Sequence, residues 1–108
     1  MTPSARLSAA IDILATIDAN RIPAAQALKE WGVKHRFAGS GDRAAISGLV
    51  FDALRRRASA AYLMGEDTPR ERLLGALKLE RGMGAEAIAR LCDGSRFAPS
   101  PLSDEEKT

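Results

Sequence analysis

Cysteine is nearly missing from this 108-residue chain, and the single copy, Cys92, excludes an internal disulfide and any cysteine-based metal cluster. Aromatic residues are scarce: Trp31, Phe37, Phe51, Tyr62 and Phe97 are the full set. No apolar run approaches the roughly 20 residues that a bilayer-spanning helix needs. The opening "MTPSARLSAA" lacks the basic start and long apolar stretch of a secretory signal. The expected location is therefore cytoplasmic. A strong excess of one charge is lacking too, since the formal net charge is +2, too small by itself to announce a nucleic-acid partner. There is no glycine-rich phosphate loop, no paired His and Cys, and no His/Asp/Glu cluster at metal spacing. No catalytic residue and no metal ligand is expected, and the chain alone is not expected to be an enzyme.

What is present favours helices. Hydrophobic residues make up 45% of the chain, with Ala and Leu prominent. The length fits one domain. Thr2 and Pro3 supply an N-cap and a first helical position for a helix to about Ala19. Its apolar stripe is Leu7, Ile11, Leu14 and Ile17, widened by Ala10 and Ile13. Pro23 opens a short helix to about Trp31, with Gly32 as its end. A third helix begins after Ser40 as N-cap, with Asp42 in its first turn, and carries Ile46, Leu49, Val50, Ala53 and Leu54 on one face. Phe51 points elsewhere, so this helix is expected to pack on two sides and to be the central one.

"ASAAYLMG" predicts a fourth helix stopped by Gly65. "TPRE" at 68–71 is a capping box with proline at the first position, the most specific local signal in the chain. The helix it starts should bury Leu73, Leu74, Leu77 and Leu79. Residues 85–92 form a sixth, with Gly94 as its cap. "SDEE" at 103–106 is a second capping box, yet only five residues follow Ser103. A helix that short is unstable alone, which predicts a mobile tail that is the cut front of a further element. The expected division is thus a helical domain over 1–98 and a linker with a truncated helix start over 99–108.

Between positions 34 and 57, Lys34, Arg36, Arg43, Arg55, Arg56 and Arg57 face only Asp42 and Asp52, a net of +4. Phosphate contacts need cations that converge on one surface. Stepping about 100° per residue puts Arg43 and Arg57 on the apolar side, where an arginine pairs with a buried acid or carbonyl. Arg55 and Arg56 leave that stripe. They suit either RNA contact beside the Lys34–Arg36 loop or a solvated helix end complementing the dipole. His35 reads as a solvated loop residue, and Cys92 as a small, partly buried core residue near a helix C-terminus.

The run "RFAGSGDRAAISGLVFDALRRR" resembles the amino-terminal segment of bacterial Sun (Fmu) type rRNA cytosine-5 methyltransferases. There an Arg-Phe, a Gly-Ser, an Asp-Arg and an "LVFxxLRRR"-like helix recur in this order. "LCDGSRFAPSPLSDEE" is similar to the linker into their catalytic half. The resemblance implies the all-α fold of the NusB antitermination factor, a compact bundle of about six helices that binds RNA. It implies a parent enzyme that transfers a methyl group from S-adenosylmethionine to 16S rRNA, with a carboxy-terminal catalytic domain that carries the cysteines. Phe37, Gly39, Ser40, Asp42 and Arg43 then occupy the turn and helix entry, and Lys34, Arg36, Arg55 and Arg56 are the expected RNA contacts. Gly41 stands where these proteins often have a lysine. The first helix carries only Arg6, where NusB is arginine-rich. Two other readings stay open: a free-standing NusB-like antitermination factor, and a helical interaction domain that never touches RNA.

Overall fold

Seven helices occupy the computed structural model, which describes residues 1–107. They are α1 (Pro3–Asn20), α2 (Ala24–Lys34), α3 (Ser40–Arg55), α4 (Arg57–Met64), α5 (Pro69–Arg81), α6 (Ala85–Leu91) and α7 (Asp104–Lys107). No strand occurs among the described residues, and the all-α bundle expected from the sequence is the fold. None of these helices is long and apolar enough to cross a membrane.

The capping chemistry sets the helix starts. Thr2 Oγ1 accepts from the Ala5 N–H at 3.1 Å, and Thr68 Oγ1 accepts from the Glu71 N–H at 3.2 Å, each followed by proline in the first turn. Helix α3 begins one residue earlier than expected. Gly39 is its N-cap, and Asp42 Oδ2 accepts from the Gly39 N–H at 3.1 Å, so Ser40 is already helical. Helix α2 runs through Gly32 to Lys34 rather than stopping at Trp31.

The most deeply buried helix is α5, while α3, expected to be central, packs against four others, α1, α2, α4 and α5. Seven consecutive residues of α5, Glu71–Leu77, are buried, because α1, α3 and α4 all pack around it. Helix α3 buries Ile46, Leu49, Val50 and Ala53 and leaves Phe51 42% exposed. Leu79 also stays at the surface. The closest approach is between α4 and α5, where a β-carbon on Gly75 would lie 2.5 Å from Ala60 Cβ and 2.7 Å from Ala60 Cα. Only glycine permits that spacing.

The segment after α6 is not a mobile tail. Leu102 enters the core, Pro99 is buried, and Glu106 is 7% exposed. The guanidinium of Arg70 holds the segment in place. It donates to both Glu106 carboxylate oxygens at 2.8 and 3.0 Å, to Ser100 Oγ at 2.9 Å, and to the Ser100 and Pro101 carbonyls. The Ser103–Glu106 capping box closes as its sequence announces. A four-residue helix unstable by itself is thus fixed by a two-pronged arginine and by burial, while Thr108 lies outside the described residues.

Beneath this clamp Glu71 is buried with Oε2 unbonded. Burial, with the neighbouring Glu106 second, pushes its carboxyl up to about 7. The Arg70 bond holds Glu106 down at about 2. Of the pair, Glu71 is the carboxyl that takes a proton more readily.

Candidate nucleic-acid interface

The sequence-derived cations do not gather on one surface. Lys34 and Arg36 flank the turn that leads into α3, whereas Arg55 and Arg56 lie at the other end of that 16-residue helix. At about 1.5 Å per residue, the two groups are roughly 22–24 Å apart. Arg55 and Arg56 are therefore not beside the Lys34–Arg36 loop.

The far end is also neutralised. Glu80 Oε1 accepts from Arg56 Nε at 2.8 Å and from Arg55 Nε at 3.2 Å, and Arg55 and Arg81 both bind Asp52. The Arg56 and Arg55 bonds hold the Glu80 carboxyl below its usual range. Arg57 is not on a core-facing stripe. Helix α3 ends at Arg55, the backbone turns at Arg56 (φ −103°, ψ 17°), and α4 starts at Arg57. A helical projection carried past Arg55 therefore fails, and Arg57 pairs at the surface with Asp67 at 3.2 Å.

The near end is built differently. Asp42, at the third position of α3, accepts from Arg6 Nε at 2.9 Å and lies 2.7 Å from Arg6 Nη2. The Arg6 bond first, and the Gly39 N–H second, hold its carboxyl below the usual range. With Asp42 so engaged, Arg43 turns to carbonyls. Its Nε donates to Ala38 O at 3.2 Å and its Nη2 to Gly32 O at 3.3 Å. Of the two partners expected for Arg43, an acid or a carbonyl, the structure supplies carbonyls, at the C-terminal turn of α2 and in the loop.

Bridging the loop this way places the Arg43 guanidinium on the wall of a cleft of about 570 Å³ between α2 and α3. Lys29 and Arg36 line the same cleft with Ser47, over an apolar floor that includes Leu28 and Ile46. Three cations and no acid line it among the described residues. Lys29, Lys34 and Arg36 form no ion pair with any described residue. Lys34 falls on the other flank of α2, in a small groove with Asp12 and Glu30.

Behind this cleft stands an aromatic cluster that the sequence did not reveal. His35 is not a solvated loop residue: its ring stacks on Trp31 with centroids 4.3 Å apart and planes 11° from parallel. Its Nδ1–H donates to the Trp31 carbonyl at 2.8 Å, closing the end of α2. Phe37 meets the His35 ring edge-on at 5.9 Å and is 74% exposed. The spacing of Trp31 and His35, four apart on a helix, was the available signal for the stack. Lys29 had none, because only the packing of α2 on α3 brings it to Arg36 and Arg43.

Cys92 is a buried core residue, and burial pushes its thiol up, away from the reactive range. No family model, curated protein or solved structure matches the chain.

Proposed function

We propose that this protein is an RNA-binding helical domain whose contact surface is the α2–α3 end. We further propose that it is the amino-terminal domain of a Sun (Fmu) type rRNA cytosine-5 methyltransferase, positioning rRNA for a catalytic domain that uses S-adenosylmethionine. The observation that supports RNA binding is the cleft lined by Lys29, Arg36 and Arg43 without an acid. Neutral surfaces of mixed charge attract phosphates weakly. Uncompensated cations on one wall attract them in a salt-dependent way, by releasing counterions. The methyltransferase context is supported by the run from Arg36 to Arg57 and its order of motifs.

RNA binding is tested by titrating single-stranded RNA at several salt concentrations. Each phosphate contact removed should lower the log–log salt slope for a single strand by about 0.7. Lys29→Ala with Arg36→Ala should therefore lower it by about 1.4, whereas Arg55→Ala with Arg56→Ala should leave it in place. A parent protein with no salt-dependent affinity would refute the reading. The enzymatic context is tested in the coding sequence beyond Thr108, where a methyltransferase half with a Pro-Cys motif is expected.

A further inference from the structure

Adjacent to the cationic cleft, and sharing Trp31 with it, is a second cleft of about 590 Å³. Its walls carry Trp31, His35, Phe37 and Phe97, together with Arg96 and Asp12. Four of the ring side chains of a chain poor in rings thus converge on one opening. Two of them, Phe37 and Phe97, are 74% and 68% exposed.

Phe97 is held there against its own preference. Its backbone lies in the left-handed region at φ 70°, which is unfavourable for a bulky residue. The Arg96 guanidinium rests 4.8 Å from its ring centroid. The turn thus holds a cation-backed aromatic at the mouth of a cleft.

We propose that this cleft takes one unpaired RNA base, stacked among its rings, with the Asp12 carboxylate accepting from the exocyclic amine of the base. The proposal rests on the RNA-binding reading and deepens it: the cleft between α2 and α3 holds phosphates, and the aromatic cleft holds a base of the same strand. Every base has a π-face, and stacking on aromatic side chains is the usual way a single strand is gripped. Arg36 lies in the neighbouring cationic cleft that shares Trp31 with this one, and Lys34 lies beyond Asp12 and His35 in the small groove that also holds Glu30. A nucleic acid strand is the occupant that uses both features, because it carries phosphates at the spacing of its bases. A protein segment would use the rings alone.

Asp12 gives the site a direction. Its exposed carboxylate is the one acidic group among the residues lining this cleft, where it can accept a hydrogen bond from a bound base. Adenine and cytosine carry an amine at the position where uracil and guanine present an oxygen, which a carboxylate repels.

The test uses Trp31, the only tryptophan, as reporter. Oligo(C), oligo(U) and an abasic oligonucleotide of equal length are titrated while Trp31 emission and affinity are followed. Oligo(C) should quench Trp31 and bind more tightly than oligo(U), and Asp12→Ala should remove that difference. Phe37→Ala and Phe97→Ala should each lower affinity for oligo(C) by about 5- to 150-fold and leave the abasic strand unaffected. Both side chains are exposed, so a melt of each variant should match the parent. Equal affinity for oligo(C) and the abasic strand, with the Lys29 and Arg36 variants still weakened, would overturn the base cleft and leave RNA binding standing. No affinity for any strand would overturn both. A concentration-dependent dimer abolished by Phe37→Ala, with Trp31 emission indifferent to RNA, would make the cleft a protein interface and overturn the proposal.

Discussion

At one end of α3, Lys29, Arg36 and Arg43 line a cleft without an acid; at the other, Arg55, Arg56 and Arg81 share Asp52 and Glu80, and Arg57 holds Asp67. The second end has the denser run of arginines in sequence, yet the weaker claim on a phosphate. A cation already bonded to a carboxylate must break that bond before it serves a ligand, and its field at a distance is largely cancelled. What matters for an anionic partner is uncompensated charge, and that is decided by which acids the fold brings near.

The largest expected effect comes from the floor between the two ends. Ile46 is 1% exposed and lies beneath the cationic cleft. Ile46→Ala should lower stability by about 2–5 kcal/mol in a chemical melt, as for other emptied core sites. RNA affinity per folded molecule should change little, because Ile46 contributes no charge. A large loss of affinity with an unchanged melt would show that the cleft recognises shape rather than charge.

Arg43 comes next. Arg43→Ala removes two charge-assisted bonds to the Gly32 and Ala38 carbonyls and should lower stability by about 1.5–3 kcal/mol. Arg43→Lys keeps the charge without the fork. It should retain the salt slope for RNA while still melting early. If the lysine variant melts like the parent, the loop is not held by the guanidinium.

A pH series separates both ends from the clamp around Glu106. Asp42 at one end and Glu80 at the other are both held below their ordinary values, so the stability they supply is present above those values and lost as pH falls. Glu71 has the opposite sign. Its folded carboxyl is pushed up to about 7, so its contribution is full below about 4.5 and is lost as pH rises through 7. Glu71→Gln should remove that loss between pH 5 and 8 and leave the acid limb unchanged. Identical pH profiles for variant and parent would mean that Glu71 is ionised throughout.

The smallest effect is expected at the far end. Arg55→Ala and Arg56→Ala should leave the melt within measurement scatter of the parent, since exposed pairs contribute little. A marked loss would show that the Glu80 network braces the junction of α3 with α4.

Local features of the fold were legible in the chain. The Thr2 and Thr68 caps, the two prolines behind them, Gly65 and the Leu73, Leu74 and Leu77 stripe all act as their sequence indicates, because each works within one turn of helix. Three readings that needed neighbours went astray. Helix α5 hid its depth because Glu71 and Arg72 interrupt its apolar pattern, yet both are buried, Arg72 between Asp18 and Asp67. Arg57 was misdirected by a break at Arg56 that no residue type signals. The tail was expected to be loose because its helix is short, while Arg70, some thirty positions earlier, supplies the anchor. Of the candidate interface, Arg36 was picked out from sequence as an RNA contact, while Arg43 was expected only in a structural role. Lys29, Asp12 and the ring cluster could not, since they meet only through the packing of α1, α2 and the loop around Phe97.

The contact of Gly75 with Ala60 acts as a fixed gauge for the molecule. Most distances between helices are set by side chains, and shift by fractions of an ångström as those side chains vary. Here backbone meets backbone, so the gap between α4 and α5 has a mechanical stop. Variation elsewhere along that seam changes how well it is filled but not how wide it is, and α1 and α3 must take their positions from a pair that does not yield. Of the nine glycines, Gly75 is the one whose added β-carbon would meet a neighbouring backbone closer than 3.0 Å, which makes it the glycine that can least accept a side chain.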